Sequence, residues 1–138
     1  SDILKYYMVD SIPVMNTFSL KFLQDSGMEN SISRVIDIQT HPLSYILDEY
    51  LPKNKKIDLL NVDVEGLDLE VLKSNNWEKY RPTAIISETG LNDIETNSTR
   101  KYLEDLGYTI IGMTPVNIQV NYSMIYFDKE KLKNFRNY

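Results

Sequence analysis

Cysteine is absent from this chain, so disulfides and thiolate metal sites are excluded. Histidine occurs once, at His41, so no His-based metal cluster can be built and a His-relayed nucleophile would rest on that residue alone. We read His41 as an ordinary first-turn residue of a helix. No apolar run approaches the roughly 20 residues that a bilayer-spanning helix needs. The N-terminus lacks the charged, apolar and small-residue order of a signal peptide. The expectation is therefore a soluble cytoplasmic protein with no membrane partner, and the glycosylation-like triplets Asn97-Ser98-Thr99 and Asn121-Tyr122-Ser123 carry little weight. Clustered positive charge is missing as well. The formal net charge is −5, and the densest basic group, Lys53, Lys55 and Lys56, sits in a Pro/Asn loop. Phosphate binding needs clustered Lys and Arg, so no nucleic-acid partner is expected. Glycine is also sparse: the five are Gly27, Gly66, Gly90, Gly107 and Gly112, and no two are close enough to make a GxG turn.

What is present fits an ordinary globular domain. The chain has 138 residues, 42% of them hydrophobic and 25% charged. That length predicts one domain, residues 1–138, with a core large enough to fold alone. Ile3 to Val9 reads as a strand and residues 10–17 as a loop. Phe18 to Gln24 reads as a short helix ended near Gly27, with Phe18, Leu20, Phe22 and Leu23 as its expected buried set. Arg34 to Ile38 is a second strand. Thr40-His41-Pro42 has the look of a helix start, with Thr40 as its cap, and Leu43, Ile46, Leu47 and Tyr50 follow at helical spacing.

Ile57 to Val64 is the most strand-like stretch, rich in branched residues and apolar on both faces at its centre, as a covered parallel strand should be. Gly66 breaks it, and Leu67 to Lys73 is built of helix formers, although Leu67, Leu69 and Val71 also alternate. Thr83 to Ser87 is the next strand, Ser98 to Leu106 a helix, Tyr108 to Met113 a strand and Asn117 to Phe127 a last strand before a short basic helix. From Ile57 onward this order predicts half of a doubly wound α/β sheet with right-handed crossovers. The last two strands, with only Thr114 to Val116 between them, should pair antiparallel at one edge.

The chemical focus is Asp63-Val64-Glu65-Gly66, where two acids leave the strand just before a helix begins. Open α/β sheets bind ligands outside the carboxyl ends of their strands. Two readings fit these acids. In one, Asp63 or Glu65 orients or deprotonates a substrate hydroxyl, or faces a cationic cofactor. In the other, they cap the helix after Gly66, whose dipole favours negative charge at that end. Glu88 ends the next strand on the same side and is a third candidate, with a solvated strand end as the alternative. Asp63, Glu65 and Glu88 together could hold a divalent cation, but nothing fixes a coordination number, and no metal is expected. Trp77 and Tyr80 read as packing residues.

The run Ile57-Asp58-Leu59-Leu60-Asn61-Val62-Asp63-Val64-Glu65-Gly66-Leu67-Asp68-Leu69-Glu70-Val71-Leu72-Lys73 resembles the signature of the FkbM methyltransferase family. Tyr6-Tyr7 with Asn16-Thr17-Phe18-Ser19-Leu20 resembles its aromatic strand and Ser-containing turn. Arg81-Pro82 leading to Ile85-Ile86-Ser87-Glu88, and Leu103 to Tyr108, resemble later pieces in the family's order. The resemblance implies an α/β chain with a partial Rossmann-like methyltransferase fold, its mostly parallel sheet ending in an antiparallel hairpin. It implies transfer of a methyl group from S-adenosylmethionine to a hydroxyl of a sugar or other small metabolite, with Asp63, Glu65 and Glu88 as the catalytic candidates. Three departures stand out: Asn61 replaces a frequent Lys, Thr40 is followed by His41-Pro42 in place of Leu-Asp, and the acid after Glu-Gly is the shorter Asp68.

A Gly-rich turn and a ribose-binding acid, which grip the cofactor in this superfamily, are not found before or within the chain's first elements. The expectation is the C-terminal part of the fold without its N-terminal cofactor-binding unit, with cofactor-binding residues unidentified. A non-catalytic interaction or oligomerisation module derived from that fold is the alternative. A metal-dependent nuclease fails, because no Lys follows Glu65 at the right spacing and the chain is acidic. An unpaired apolar edge along Ile57 to Val64 would also favour self-association.

Overall fold

A computed structural model describes residues 2–64, 66–90, 98–115 and 121–135. In chain order the strands and helices are β1 (Ile3–Met8), α1 (Leu20–Asp25), β2 (Arg34–Gln39), α2 (Leu43–Tyr50), β3 (Leu59–Val62), α3 (Asp68–Lys73), β4 (Ala84–Gly90), α4 (Ser98–Asp105), β5 (Tyr108–Pro115), β6 (Asn121–Asp128) and α5 (Lys129–Phe135). The expected order from Ile57 onward is reproduced, and the Leu67 to Lys73 segment is helical.

Branched residues and one glycine build the centre of the fold. β3 and β4 are parallel and in register from Leu59 opposite Ala84 to Val62 opposite Ser87. Between β3 and α3 the chain turns at Gly66, whose φ of +95° is a conformation that side chains with a Cβ rarely adopt. β5 then leads into β6, which returns to lie between β4 and β5, giving the order β3-β4-β6-β5. The antiparallel hairpin at one edge is present, but the sheet is not mostly parallel: of its three pairings among the described residues, only β3 with β4 runs parallel. The reason is the insertion of β6, which is antiparallel to both of its neighbours.

The N-terminal segment makes its own sheet. β1 pairs antiparallel with β2, from Ile3 opposite Gln39 to Met8 opposite Arg34. Residues 3–8 therefore do not lie along β3, whose outer side has no strand partner among the described residues. The turn after β1 is tied by Val9 N donating to Asn16 Oδ1 at 2.7 Å and by a Tyr7–Thr17 backbone bridge. α1 starts at Ser19, whose Oγ accepts from Phe22 N at 3.1 Å, a standard N-cap bond. Of its expected buried set only Leu23 is fully buried; Phe22 is exposed, and Phe18 packs on Tyr6. A helix of under two turns turns one position inward rather than a stripe.

α2 departs from expectation at its start. Thr40 does not cap it; its hydroxyl donates back to Asp2 O at 2.9 Å. The first amides of α2 instead reach Ser74 at the end of α3, with Leu43 N donating to Ser74 Oγ at 2.9 Å. No residue of α2 is fully buried, including Leu43, Ile46, Leu47 and Tyr50. No helix among the described residues is long and apolar enough to cross a membrane.

The core lies on one face of the larger sheet. Val62, Ile85, Met124 and Tyr126 from the strands meet Leu72 of α3, Leu103 of α4 and Tyr108. Leu72 and Leu103 are completely buried, and such a side chain contributes about 2 kcal/mol by transfer from water. Trp77 joins this packing, its Nε1 donating to Leu72 O at 3.1 Å and to Tyr102 Oη at 2.9 Å. At the start of β4 a buried acid fixes the hairpin. Asp128 Oδ2 accepts from Arg81 Nε at 2.6 Å, and its Oδ1 caps α5 by accepting from Glu130 N at 2.9 Å.

Candidate functional site

The parallel register that ends at Val62 and Ser87 brings the next residues, Asp63 and Glu88, out at the same end of two neighbouring strands. Adjacent strands are about 4.8 Å apart, so the two backbones stay close there. This is the carboxyl end of the parallel pair, where open α/β sheets bind ligands. Asp63 is exposed and Glu88 half-buried. Glu88 is not the last residue of its strand, because β6 continues to pair with β4 through Glu88 opposite Ser123 and on to Gly90. Glu65 lies outside the described residues. The structure thus places Asp63 and Glu88 one residue beyond the last paired positions of two neighbouring strands.

The residue that joins these two strand ends is Asp68, the first residue of α3. It is only 6% exposed, unusual for an acid. Its Oδ1 accepts from Val64 N at 3.1 Å. Its Oδ2 accepts from Ser87 Oγ at 3.0 Å and from Glu88 N at 3.0 Å. Burial pushes the Asp68 carboxyl up; the three donors oppose this, the negative charge of Asp63 adds to it, and the balance lies above the ordinary carboxylate range. The positive φ of Gly66 reverses the chain so that Asp68 can reach back to Val64.

Sequence reasoning noted Asp68 only as a shortened acid of the family signature. Two signals were there to find it: an acid in the first turn after a strand-glycine break, and a serine, Ser87, inside an otherwise apolar strand. Asp68 does not cap α3 either: its donors lie in the segment after β3 and in β4. The residue preceding α3, Leu67, supplies no side-chain cap, and the Asp63 side chain makes no hydrogen bond among the described residues.

Other candidates fall elsewhere. His41 stacks on Tyr45, with ring centroids 4.8 Å apart, next to the start of α2. Tyr80 and Lys79 both bond Asp48 at the surface. Among the described residues no group of three His, Cys, Asp or Glu side chains stands together for a metal ion.

Part of an S-adenosylmethionine molecule suits these residues. Asp63, which is exposed, and Glu88, half-buried within β4, have the charge that would face a sulfonium cation. The nucleoside end has no equally suited set among the described glycines. Gly27, Gly66 and Gly107, at positive φ, serve single turns, and Gly112 lies in β5 against Ile125.

Comparison with known families matches residues 5–110 to the Methyltransferase FkbM domain. Methyltransferase sdnD of Sordaria araneosa is 38% identical over 84 residues, covering 54% of this chain and 32% of that protein. The match thus spans about a third of the relative's length. No solved structure shows significant similarity. The chain belongs to the FkbM methyltransferase family.

Proposed function

We propose that this member of the FkbM methyltransferase family forms the acceptor side of a site that moves a methyl group from S-adenosylmethionine to a hydroxyl of a sugar or another small hydroxylated metabolite. The observation that supports the reading is that Asp63 and Glu88 follow directly on the last pair, Val62 and Ser87, of the parallel β3–β4 ladder. When bound, S-adenosylmethionine supplies an electrophilic methyl on a sulfonium centre. Asp63, the exposed acid, accepts the hydrogen bond of the acceptor hydroxyl and takes its proton as the oxygen becomes the nucleophile. Glu88, half-buried beside it, adds the negative charge that a sulfonium favours. Most of the rate gain on such a site comes from holding oxygen and methyl in line. The relative named a methyltransferase supports the transfer itself. The test is methyl transfer by the longest natural chain that contains this sequence, assayed with a panel of monosaccharides and polyols, in wild type and Asp63→Asn.

One observation favours a second reading, a module that associates with a copy of itself. The outer side of β3 has no strand partner among the described residues, and Leu59 on that strand is 54% exposed. Unpaired amides and carbonyls on an apolar edge are a template for another strand.

A further inference from the structure

We propose that Asp68 is a positioning residue: by binding Val64 N through one carboxylate oxygen and Glu88 N with Ser87 Oγ through the other, it sets the relative placement of Asp63 and Glu88. The proposal rests on the reading of those two acids as the methyl-transfer site.

The ladder between β3 and β4 ends at Val62 and Ser87. Beyond that point, among the described residues, the hydrogen bonds that connect the segment after β3 to β4 all pass through Asp68. Its two oxygens are divided between the two strand ends. Oδ1 holds the amide one residue after Asp63, and Oδ2 holds the amide of Glu88 itself. Asp63 is therefore held at the next peptide and Glu88 at its own backbone, through one rigid carboxylate plane. Asp68 is 6% exposed and Ser87 1% exposed, so water does not compete for these bonds, and charge-assisted bonds in such a setting are short of alternatives.

The geometry also says which substitution cuts the link without removing the side chain. Asparagine has the same shape but presents one oxygen and one NH2 group. Whichever way the amide turns, a donor faces the amide of Val64 or the amide of Glu88, and one of the two ties opens. Glutamate keeps two acceptor oxygens at the cost of one additional methylene in a buried place. A site that depends on sub-ångström placement loses rate when such a tie opens, although the acids that touch substrate are unchanged.

Two measurements test this. The first is amide hydrogen exchange at Val64 and Glu88 in the 138-residue chain, wild type against Asp68→Asn. At least one of the two amides is expected to exchange roughly tenfold faster in the variant while the Leu72 and Ile85 amides are unchanged. Equal exchange at both would overturn the tie. The second is kcat and KM for methyl transfer by the longest natural chain, in wild type, D68N, D68E, D63N and the D63N/D68N double variant. D68N is expected to lower kcat roughly tenfold with KM for S-adenosylmethionine within about twofold, D68E to recover part of the loss, and D68N to add less than about twofold in the D63N background. Unchanged kcat in D68N, or the same loss in both backgrounds, overturns the positioning role while leaving the site reading intact. Wild-type turnover in D63N overturns the site reading itself, and the role of Asp68 with it.

Discussion

The backbone amide of Glu88 donates to Oδ2 of Asp68 at 3.0 Å. An acid in the first turn of α3 and an acid in β4 are thereby parts of one hydrogen-bonded unit. Ser87 Oγ shares the same oxygen, and Val64 N holds the other. Removing the carboxylate leaves three donors without their acceptor in a largely buried place.

Asp68→Ala is expected to cost on the order of 2–4 kcal/mol, since an orphaned buried donor costs about 1–3 kcal/mol. Urea unfolding of the chain followed by circular dichroism measures it. A loss under about 0.5 kcal/mol, the size of an ordinary surface substitution, would show that water replaces Asp68 without penalty.

The pH dependence of stability separates the two buried acids. Burial raises the Asp128 carboxyl, but the Arg81 guanidinium and the Lys131 and Glu130 amides outweigh it, so the net shift is downward. Its contribution is present above the ordinary carboxylate range and is lost as pH falls through its lowered value. Asp68 has the opposite sign. Burial raises it, so the folded state keeps this proton to higher pH than the unfolded chain, and its contribution declines as pH rises through that window. Thermal melts across the acid range should therefore show a shallower rise with pH in Asp128→Asn and a steeper one in Asp68→Asn. Parallel curves for wild type and both variants would contradict the assignment. Arg81→Gln should in addition cost about 3 kcal/mol near neutral pH, because it strands a buried carboxylate.

Much of the fold could be read from local chemistry. Branched residues before Gly66, helix formers after it and Pro82 ahead of the next strand mark β3, α3 and β4 within a few residues. The antiparallel pairing of the last two strands is as expected, but Thr114 and Pro115 of the expected link belong to β5, and Val116 and residues 117–120 lie outside the described residues. Pairings between distant segments were not legible. Nothing local says that β6 passes between β4 and β5, or that Ile3–Met8 pairs with Arg34–Gln39. The same limit hid the acceptor Ser74 Oγ, which serves α2 from the end of α3 where Thr40 was expected to act. At the candidate site, the end of β3 at Asp63 was legible, whereas β4 runs past Glu88 to Gly90. Asp68 was not, because its burial depends on the side chain of Ser87 and the reversal at Gly66 acting together.

Calorimetric titration of the 138-residue chain with S-adenosylmethionine is expected to show no micromolar binding. In the proposed reading Asp63 and Glu88 would meet the sulfonium alone, and one charge contact does not hold a nucleoside cofactor, whose affinity comes from many contacts. A micromolar dissociation constant would overturn this, and would place the nucleoside grip within these residues.

Light scattering of the same chain is expected to give a mass above the 16.1 kDa of one copy as concentration rises, through the side of β3 that has no strand partner among the described residues. A lysine at Leu59, on that edge, should shift the mass toward one copy. A single-copy mass at high concentration for the wild-type chain would count against edge pairing.

The central claim is that Asp63, with Glu88 beside it, serves methyl transfer. Radiolabelled methyl transfer from S-adenosylmethionine to a hydroxylated acceptor, by the longest natural chain carrying this sequence, tests it most directly. Asp63→Asn is expected to lower kcat by roughly 100-fold or more, the usual worth of a positioned acid or base, with the melting temperature unchanged. Glu65→Gln and Glu88→Gln should each lower it as well. Wild-type turnover in Asp63→Asn, at unchanged melting temperature, would contradict the account.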